Sequence, residues 1–299
     1  MGILYAIMAA ICNSTIGIFT TFVFETNMTP SSISFYRCLV ALILTTVIIL
    51  LSRNGLAKLL IVKSQLIGIA LASFFGIFTL YTFEILAISY STISLVSFLI
   101  YSCGIFTLIL GVFILNEKIT LLKGVSTFFV IIGLSIMIII ESEIELSFLG
   151  SVLAITAGMG YSLFLIFIKK YEIPSGLPTL WWIFMFGTVY LFLPFVMQTP
   201  QLPNKSNILF IICLAIIPTL GGFFFTNRSL ELLEAGKVQL YEMSEPIFAT
   251  ALAFLIFNQQ LQMQSYVGIL FVLFGLLILG YRFTKNKTFL EKKFGDRPR

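Results

Sequence analysis

NEKITLLKGVSTFFVIIGLSIMII at 116–139 and NQQLQMQSYVGILFVLFGLLILGY at 258–281 are two versions of one pattern, 142 positions apart. Asn116 aligns with Asn258, Val125 with Val267, Phe129 with Phe271 and Gly133 with Gly275. Upstream, Ile105-Phe106 falls on Ile247-Phe248 without a gap. Apolar segments match one another cheaply, so the weight lies on the ungapped frame rather than on any single identity. That frame runs from the end of one apolar stretch, across a short polar turn, into the next. The chain repeats itself.

The solvent for such a chain is a bilayer. Of its 299 residues 59% are hydrophobic and 10% charged, against about 25% charged in an ordinary soluble domain. Spanning a hydrocarbon core about 30 Å thick takes about 20 apolar residues of helix. Ten segments qualify, at 3–24, 33–51, 66–89, 92–115, 124–140, 148–168, 179–197, 208–227, 238–257 and 265–281. Helix punctuation separates them: Thr29-Pro30 starts the second, and Pro174, Gly176 and Pro178 part the sixth from the seventh. Long unbroken apolar runs are unlike the short alternating strands of a membrane barrel. Residues 1–24 lack a basic start and run too long for a signal peptide. Cys12, Cys38, Cys103 and Cys213 lie singly in apolar runs and read as small buried hydrophobes. With no histidine in the chain, no metal site is expected.

The fold class predicted is therefore an all-α integral membrane protein of ten transmembrane helices. Five fall in each copy, at 1–141 and 148–281, followed by a basic tail at 282–299. Five is odd, so the second copy enters the membrane from the opposite side, giving inverted-topology halves. Basic residues set the orientation. With a cytoplasmic N-terminus, inside connections hold Arg53, Lys58, Lys63, Lys118, Lys123, Lys169, Lys170, Arg228 and Lys237, and the tail adds seven more between Arg282 and Arg299. Outside lies only Lys205, while Glu141, Glu143 and Glu145 sit in an outside loop. Both termini are thus expected in the cytoplasm, and the net charge of +5 faces an anionic leaflet rather than nucleic acid.

SEPIFATALAFLIFNQQLQMQSYVGILFVLFGLLILGY (244–281), FYRCLVALIL (35–44) and AGMGYSLFLIFIKK (157–170) together resemble EamA-type members of the drug/metabolite transporter superfamily. The resemblance covers essentially the whole chain. It implies a ten-helix metabolite transporter, most often an exporter, of the bacterial cytoplasmic membrane. Asn116-Glu117 keeps the acid common in that family's turn, whereas the second copy reads Asn258-Gln259.

Charged groups at membrane depth cost about 2.5 kcal/mol or more each, so each needs a reason. Arg37 and Glu84 lie at matching depth near the outer ends of helices 2 and 3, which predicts a structural ion pair. Snorkelling of Arg37 and direct substrate contact are the alternatives. In the ninth span Gln239, Glu242 and Glu245 recur every third residue, on one helical face with Tyr241 beside it. Pro246 follows and predicts a kink that frees the Glu242 carbonyl. Two carboxyls beside a freed carbonyl suit a cation, an ammonium group or a carried proton. A salt bridge from Glu242 to Arg228 or Lys237 is the competing arrangement. Candidate substrate-binding residues are Glu245, Glu242, Tyr241, Asn13, Tyr101 and Tyr161. Trp181 and Trp182 read as interfacial anchors.

Function follows as secondary active transport, by alternating access, of a small zwitterionic or cationic metabolite such as an amino acid or amine. Exporter or exchanger, it would use Glu245 to bind either the substrate's positive end or a coupling proton. Other metabolite classes (nucleotide-like or organic anion), or a non-transporting channel or receptor, are the alternatives. No catalytic constellation or cofactor motif is present, so no enzyme activity and no cofactor are expected. The expected partners are the substrate and the lipid bilayer, with the chain a monomer or homodimer and without nucleic acid.

Overall fold

The computed structural model describes residues 1–24, 28–52, 57, 59–60, 65–91, 93–139, 147–257 and 266–280. Arg53, Lys58, Lys63, the three loop glutamates at 141, 143 and 145, the Asn258-Gln259 turn and the tail from 282 lie outside the described residues. What is described is helical, with no strand among the described residues. In chain order the helices are α1 (Gly2–Asn13), α2 (Ile16–Phe24), α3 (Pro30–Leu51), α4 (Leu66–Ser73), α5 (Leu80–Tyr90), α6 (Ile93–Ser102), α7 (Gly104–Leu115) and α8 (Leu121–Ile139). They continue as α9 (Phe148–Lys170), α10 (Leu177–Met197), α11 (Lys205–Leu214), α12 (Phe223–Leu232), α13 (Ala235–Glu242), α14 (Glu245–Phe257) and α15 (Tyr266–Gly280). Two π-helical segments, Phe74–Thr79 and Ala215–Gly222, join α4 to α5 and α11 to α12.

Among the described residues, seven helical stretches are long and apolar enough to cross a membrane: Gly2–Val23, Pro30–Leu51, Leu66–Tyr90, Leu95–Leu115, Phe148–Lys170, Leu177–Met197 and Asn207–Leu232. The remaining segments expected to span are helical but shorter or interrupted: α8, the pair α13 and α14, and α15. Large apolar side chains such as Leu51, Phe113 and Leu277 point outward, while Arg37 and Glu242 are buried. That reversal of a soluble protein's surface suits a lipid surround. The second expected span, α3, starts three residues before its expected position, with Thr29 at the N-cap position and Pro30 in the first turn, where a missing N–H costs nothing. Asn116 ends α7 in the left-handed conformation at φ 55°, a role asparagine tolerates better than most residues.

Contacts sort the connections into two ends. At one, the Ser229 hydroxyl donates to the Gly2 carbonyl at 3.0 Å, and Gln65 donates to the Glu172 carbonyl at 2.9 Å. The other end ties Thr29 N–H to Gln201 (2.8 Å) and Ser31 to Gln198 (2.7 Å). Trp181 and Trp182 are not free anchors: their indole N–H groups donate to the Thr46 hydroxyl and the Leu59 carbonyl.

The glycines of the repeated pattern bring α8 and α15 together. A methyl group on Gly133 would stand 2.6 Å from the Gly268 carbonyl and 2.8 Å from Val272. One on Gly275 would meet the Ser126 carbonyl and Val130, both at 2.8 Å. Shifted by 142, each set of contacts becomes the other. The crossing is thus symmetric, and its close approach depends on both glycines. Gly133→Leu and Gly275→Leu should each lower stability by about 1–3 kcal/mol through overpacking, read as a lower melting temperature in detergent. Gly124→Ala in α8, where a Cβ meets nothing within 4 Å, should hold or raise it by up to about 1 kcal/mol.

Candidate functional site

Both π segments interrupt a helix at repeat-equivalent places, for Phe74–Thr79 shifted by 142 falls within Ala215–Gly222. The second has an evident cause. Pro218 has no N–H, so the Leu214 carbonyl loses its helical donor, and the Thr219 hydroxyl supplies one at 2.7 Å. In the first copy the Thr79 hydroxyl donates to the Phe74 carbonyl at 3.1 Å. Gly76 stands there in place of the proline, and a Cβ on it would strike the Phe164 ring at 2.4 Å.

Just beyond these turns the helices face a common cavity of about 30 Å³. Leu80, Tyr81 and Glu84 line it from one copy, and Gly222, Phe223 and Thr226, each 142 further on, from the other. Asn13, Arg37, Tyr101 and Tyr161 complete its polar wall. The Asn13 amide lies over Gly222, where a Cβ would come within 2.2 Å of its oxygen. A space this size holds roughly two waters, whereas metabolite sites run to about 300 Å³ or more. Admitting a metabolite therefore requires the helices around it to part.

The segment expected as the ninth span is broken rather than smoothly kinked. Its interruption falls at Met243-Ser244, ahead of Pro246, which sits in the first turn of α14. The break separates the two acids that a continuous helix would stack on one face. Glu242 is fully buried and held by hydroxyls: Tyr161 donates to Oε2 and Thr226 to Oε1, each at 2.6 Å. Glu245, 6% exposed, accepts from the Tyr101 hydroxyl. Neither acid forms an ion pair among the described residues. The competing bridge from Glu242 is absent there, since Arg228 pairs with Glu231 and Lys237 with Glu234.

The structure thus brings Asn13, Tyr101 and Tyr161 to the cavity itself. Glu242 and Glu245 stand one layer behind, reached through the two tyrosines. Tyr241 does not reach it; its hydroxyl lies instead near Gly280. Arg37 and Glu84 approach to 3.7 Å in the cavity wall. Sequence reasoning missed Tyr81, Thr219, Phe223 and Thr226. The available signal was the repeat itself, because Thr226 occupies the place of Glu84 in the second copy.

The model of the EamA-like transporter family matches residues 1–139 and again 148–281. The chain belongs to that family. An uncharacterized transporter of Clostridium kluyveri is 25% identical over 218 residues, 69% of each chain. An S-adenosylmethionine uptake transporter of Rickettsia prowazekii is 26% identical over 216 residues, 71% of this chain and 70% of that one. A solved crystal structure superposes with a TM-score of 0.78 at 13% identity, covering 93% of this chain and 96% of the other, and shares the fold. This EamA-like chain is a multi-pass membrane transporter.

At one end of the molecule a charged cluster joins the two matched regions. Glu117 accepts from the N–H groups of Ala235 (2.7 Å) and Gly236 (3.3 Å), capping the start of α13. Buried Lys123 lies 3.5 Å from Glu117 and 3.1 Å from Glu234, and Lys237 lies 2.8 Å from Glu234. Burial alone would raise the Glu234 carboxyl, but the Lys237 and Lys123 ammonium groups outweigh it and hold it below the ordinary 4.5. A depressed carboxyl contributes stability above its unfolded value and loses it as pH falls through the folded one. Melting temperature should therefore drop as pH falls through 4.5 and below, and the drop should be smaller in Glu234→Gln.

Proposed function

We propose that the chain is a secondary active transporter, an exporter or exchanger, of a small zwitterionic or cationic metabolite, and that it works by alternating access between two inverted five-helix halves. In this reading ten segments span the bacterial cytoplasmic membrane, with both termini inside. The halves are 1–141 and 148–281, and 282–299 is a basic tail. Among the described residues, Lys118, Lys123, Lys169, Lys170, Arg228 and Lys237 collect at the end that carries the N-terminus, and Lys205 starts α11 at the other. That supports the orientation. The matching π segments and the symmetric glycine crossing support the two-half architecture.

One observation carries the substrate class: two buried carboxyls, Glu242 and Glu245, accept hydrogen bonds from hydroxyls and form no ion pair among the described residues. Hydrogen bonds to Tyr161, Thr226 and Tyr101 make them tolerable in hydrocarbon without neutralising them. A ligand bearing positive charge, or a proton, supplies the missing counter-charge. Tyrosines between acids and cavity let either acid respond to a bound cation through a single shift of a phenol hydrogen bond. Tyr81, Tyr101, Tyr161 and Phe223 also give the cavity aromatic faces suited to an onium group. The sulfonium and amino acid groups of S-adenosylmethionine, the substrate in the name of the Rickettsia relative, fall within this class. Among the described residues that line the cavity Arg37 is the one base, whereas a phosphate-bearing substrate would need a cluster of Lys and Arg.

Uptake of labelled S-adenosylmethionine, amino acids and amines into proteoliposomes tests the reading. Saturable, pH-dependent counterflow of at least one of them is expected. Glu245→Gln should lower its rate by about tenfold or more and flatten its pH dependence, as expected for an intramembrane acid that works. Counterflow by Glu245→Gln at the native rate across pH would overturn the assignment of that acid.

A further inference from the structure

Among the charges of the cavity wall, the Arg37–Glu84 pair is the one whose geometry does not close. Arg37 is 1% exposed. Its Nε donates to the Thr219 hydroxyl at 2.7 Å, and its guanidinium lies 3.8 Å from the centre of the Tyr81 ring. These contacts fix the plane of the group. They leave Nη1 without a hydrogen bond, and Glu84 Oε2, which faces it, has none either. The two atoms stand 3.7 Å apart, whereas a charge-assisted bond closes to about 2.7–2.9 Å. Solvent-facing pairs of the same chain do close, Arg228–Glu231 at 2.6 Å and Lys237–Glu234 at 2.8 Å. A pair that served only to neutralise two desolvated charges should be the tighter one, because attraction rises as the surroundings dry. Lys123, buried as well, stands 3.5 Å from Glu117 but reaches Glu234 at 3.1 Å; Arg37 and Glu84 stay further apart, and both line the cavity.

We propose that Arg37 and Glu84 form the head-group subsite for an α-amino acid zwitterion, with the substrate carboxylate taking Arg37 Nη1 and its ammonium taking Glu84 Oε2. This rests on the cavity being the transport site proposed above. An α-amino acid carries opposite charges one carbon apart and so matches a cation and an anion presented side by side. An amine or a carboxylic acid alone fills half of the subsite and leaves one buried charge unpaired, the kind of mismatch that polar sites reject strongly. Thr219, on the π turn of the second copy, orients an arginine from the first. The subsite is therefore assembled by both halves, and a bound head group ties them together.

The double variant Arg37→Gln/Glu84→Gln separates a subsite from a structural bridge. Replacing both members of a buried pair by neutral groups of similar shape is often tolerated, whereas removing one strands the other. The double variant should therefore fold, as judged by its melting temperature and monodisperse elution in detergent. The probes are the twenty standard L-amino acids and, for each binder, its decarboxylated amine, read by equilibrium binding to purified full-length protein. At least one amino acid should bind the native chain about tenfold or more tighter than its amine, and the double variant should lose that margin. Equal binding of amine and amino acid by the native chain, or an unchanged margin in the folded double variant, overturns the subsite and leaves the transport reading standing. If the native chain binds none of the amino acids, the subsite falls, and the transport reading is decided separately by the counterflow assay above. Should the double variant fail to fold, Glu84→Gln and Arg37→Lys replace it: each must weaken the amino acid more than the amine, and equal weakening of both overturns the proposal.

Discussion

A carboxyl group in hydrocarbon must find its donors inside the protein, and the centre of this molecule is arranged around that constraint. Tyr161 and Thr226 each hold one oxygen of Glu242, and Tyr101 holds Glu245. These donors come from α9, α12 and α6, so satisfying two acids ties together helices far apart in sequence. The break at Met243-Ser244 gives the acids separate partners in place of a shared face. With the tyrosines as intermediaries, the wall stays polar while the charge stays buried.

Helix irregularities serve the same place. Two π segments at matching positions reset the helices immediately before the residues that line the cavity. A π turn widens the helix and turns the following side chains. At both turns a threonine adds a hydroxyl donor to the backbone, Thr79 to the Phe74 carbonyl and Thr219 to the Leu214 carbonyl that Pro218 leaves without its usual donor. Thr219 also receives Arg37, so one side chain repairs the backbone of one half and positions a charge from the other. At the end of the molecule, the cap that Glu117 places on α13 joins the same two regions. Asn258-Gln259, the corresponding pair in the second copy, offers no acid for an equivalent cap.

Much of the fold was legible because bilayer thickness, proline and glycine act locally. Thr29-Pro30 start a helix as the sequence requires, and Gly176 turns at φ 133° where no side chain is comfortable. The depth argument that put Arg37 opposite Glu84 agrees with their 3.7 Å separation. Spacing by threes placed Glu242 and Glu245 on one face, which holds only for an unbroken helix. The break intervened between the two acids, while Tyr241, on the same helix as Glu242, turns its hydroxyl toward Gly280 instead. The π turns were hidden because their sequence trace is slight, a proline at 218 in one copy and a glycine at 76 in the other. Which polar residues converge is a property of packing between distant helices, and pattern along the chain does not carry it.

The central claim is that the tyrosine-walled cavity opens by turns to the two sides of the membrane. Asn13 lines that cavity, so its accessibility reports on the claim directly. In a chain with Cys12, Cys38, Cys103 and Cys213 replaced, an Asn13→Cys thiol should react with a membrane-impermeant reagent added to either face of proteoliposomes of one fixed orientation. Saturating substrate should slow both reactions. A thiol that reacts from one face alone under every condition, or from neither, would contradict the account.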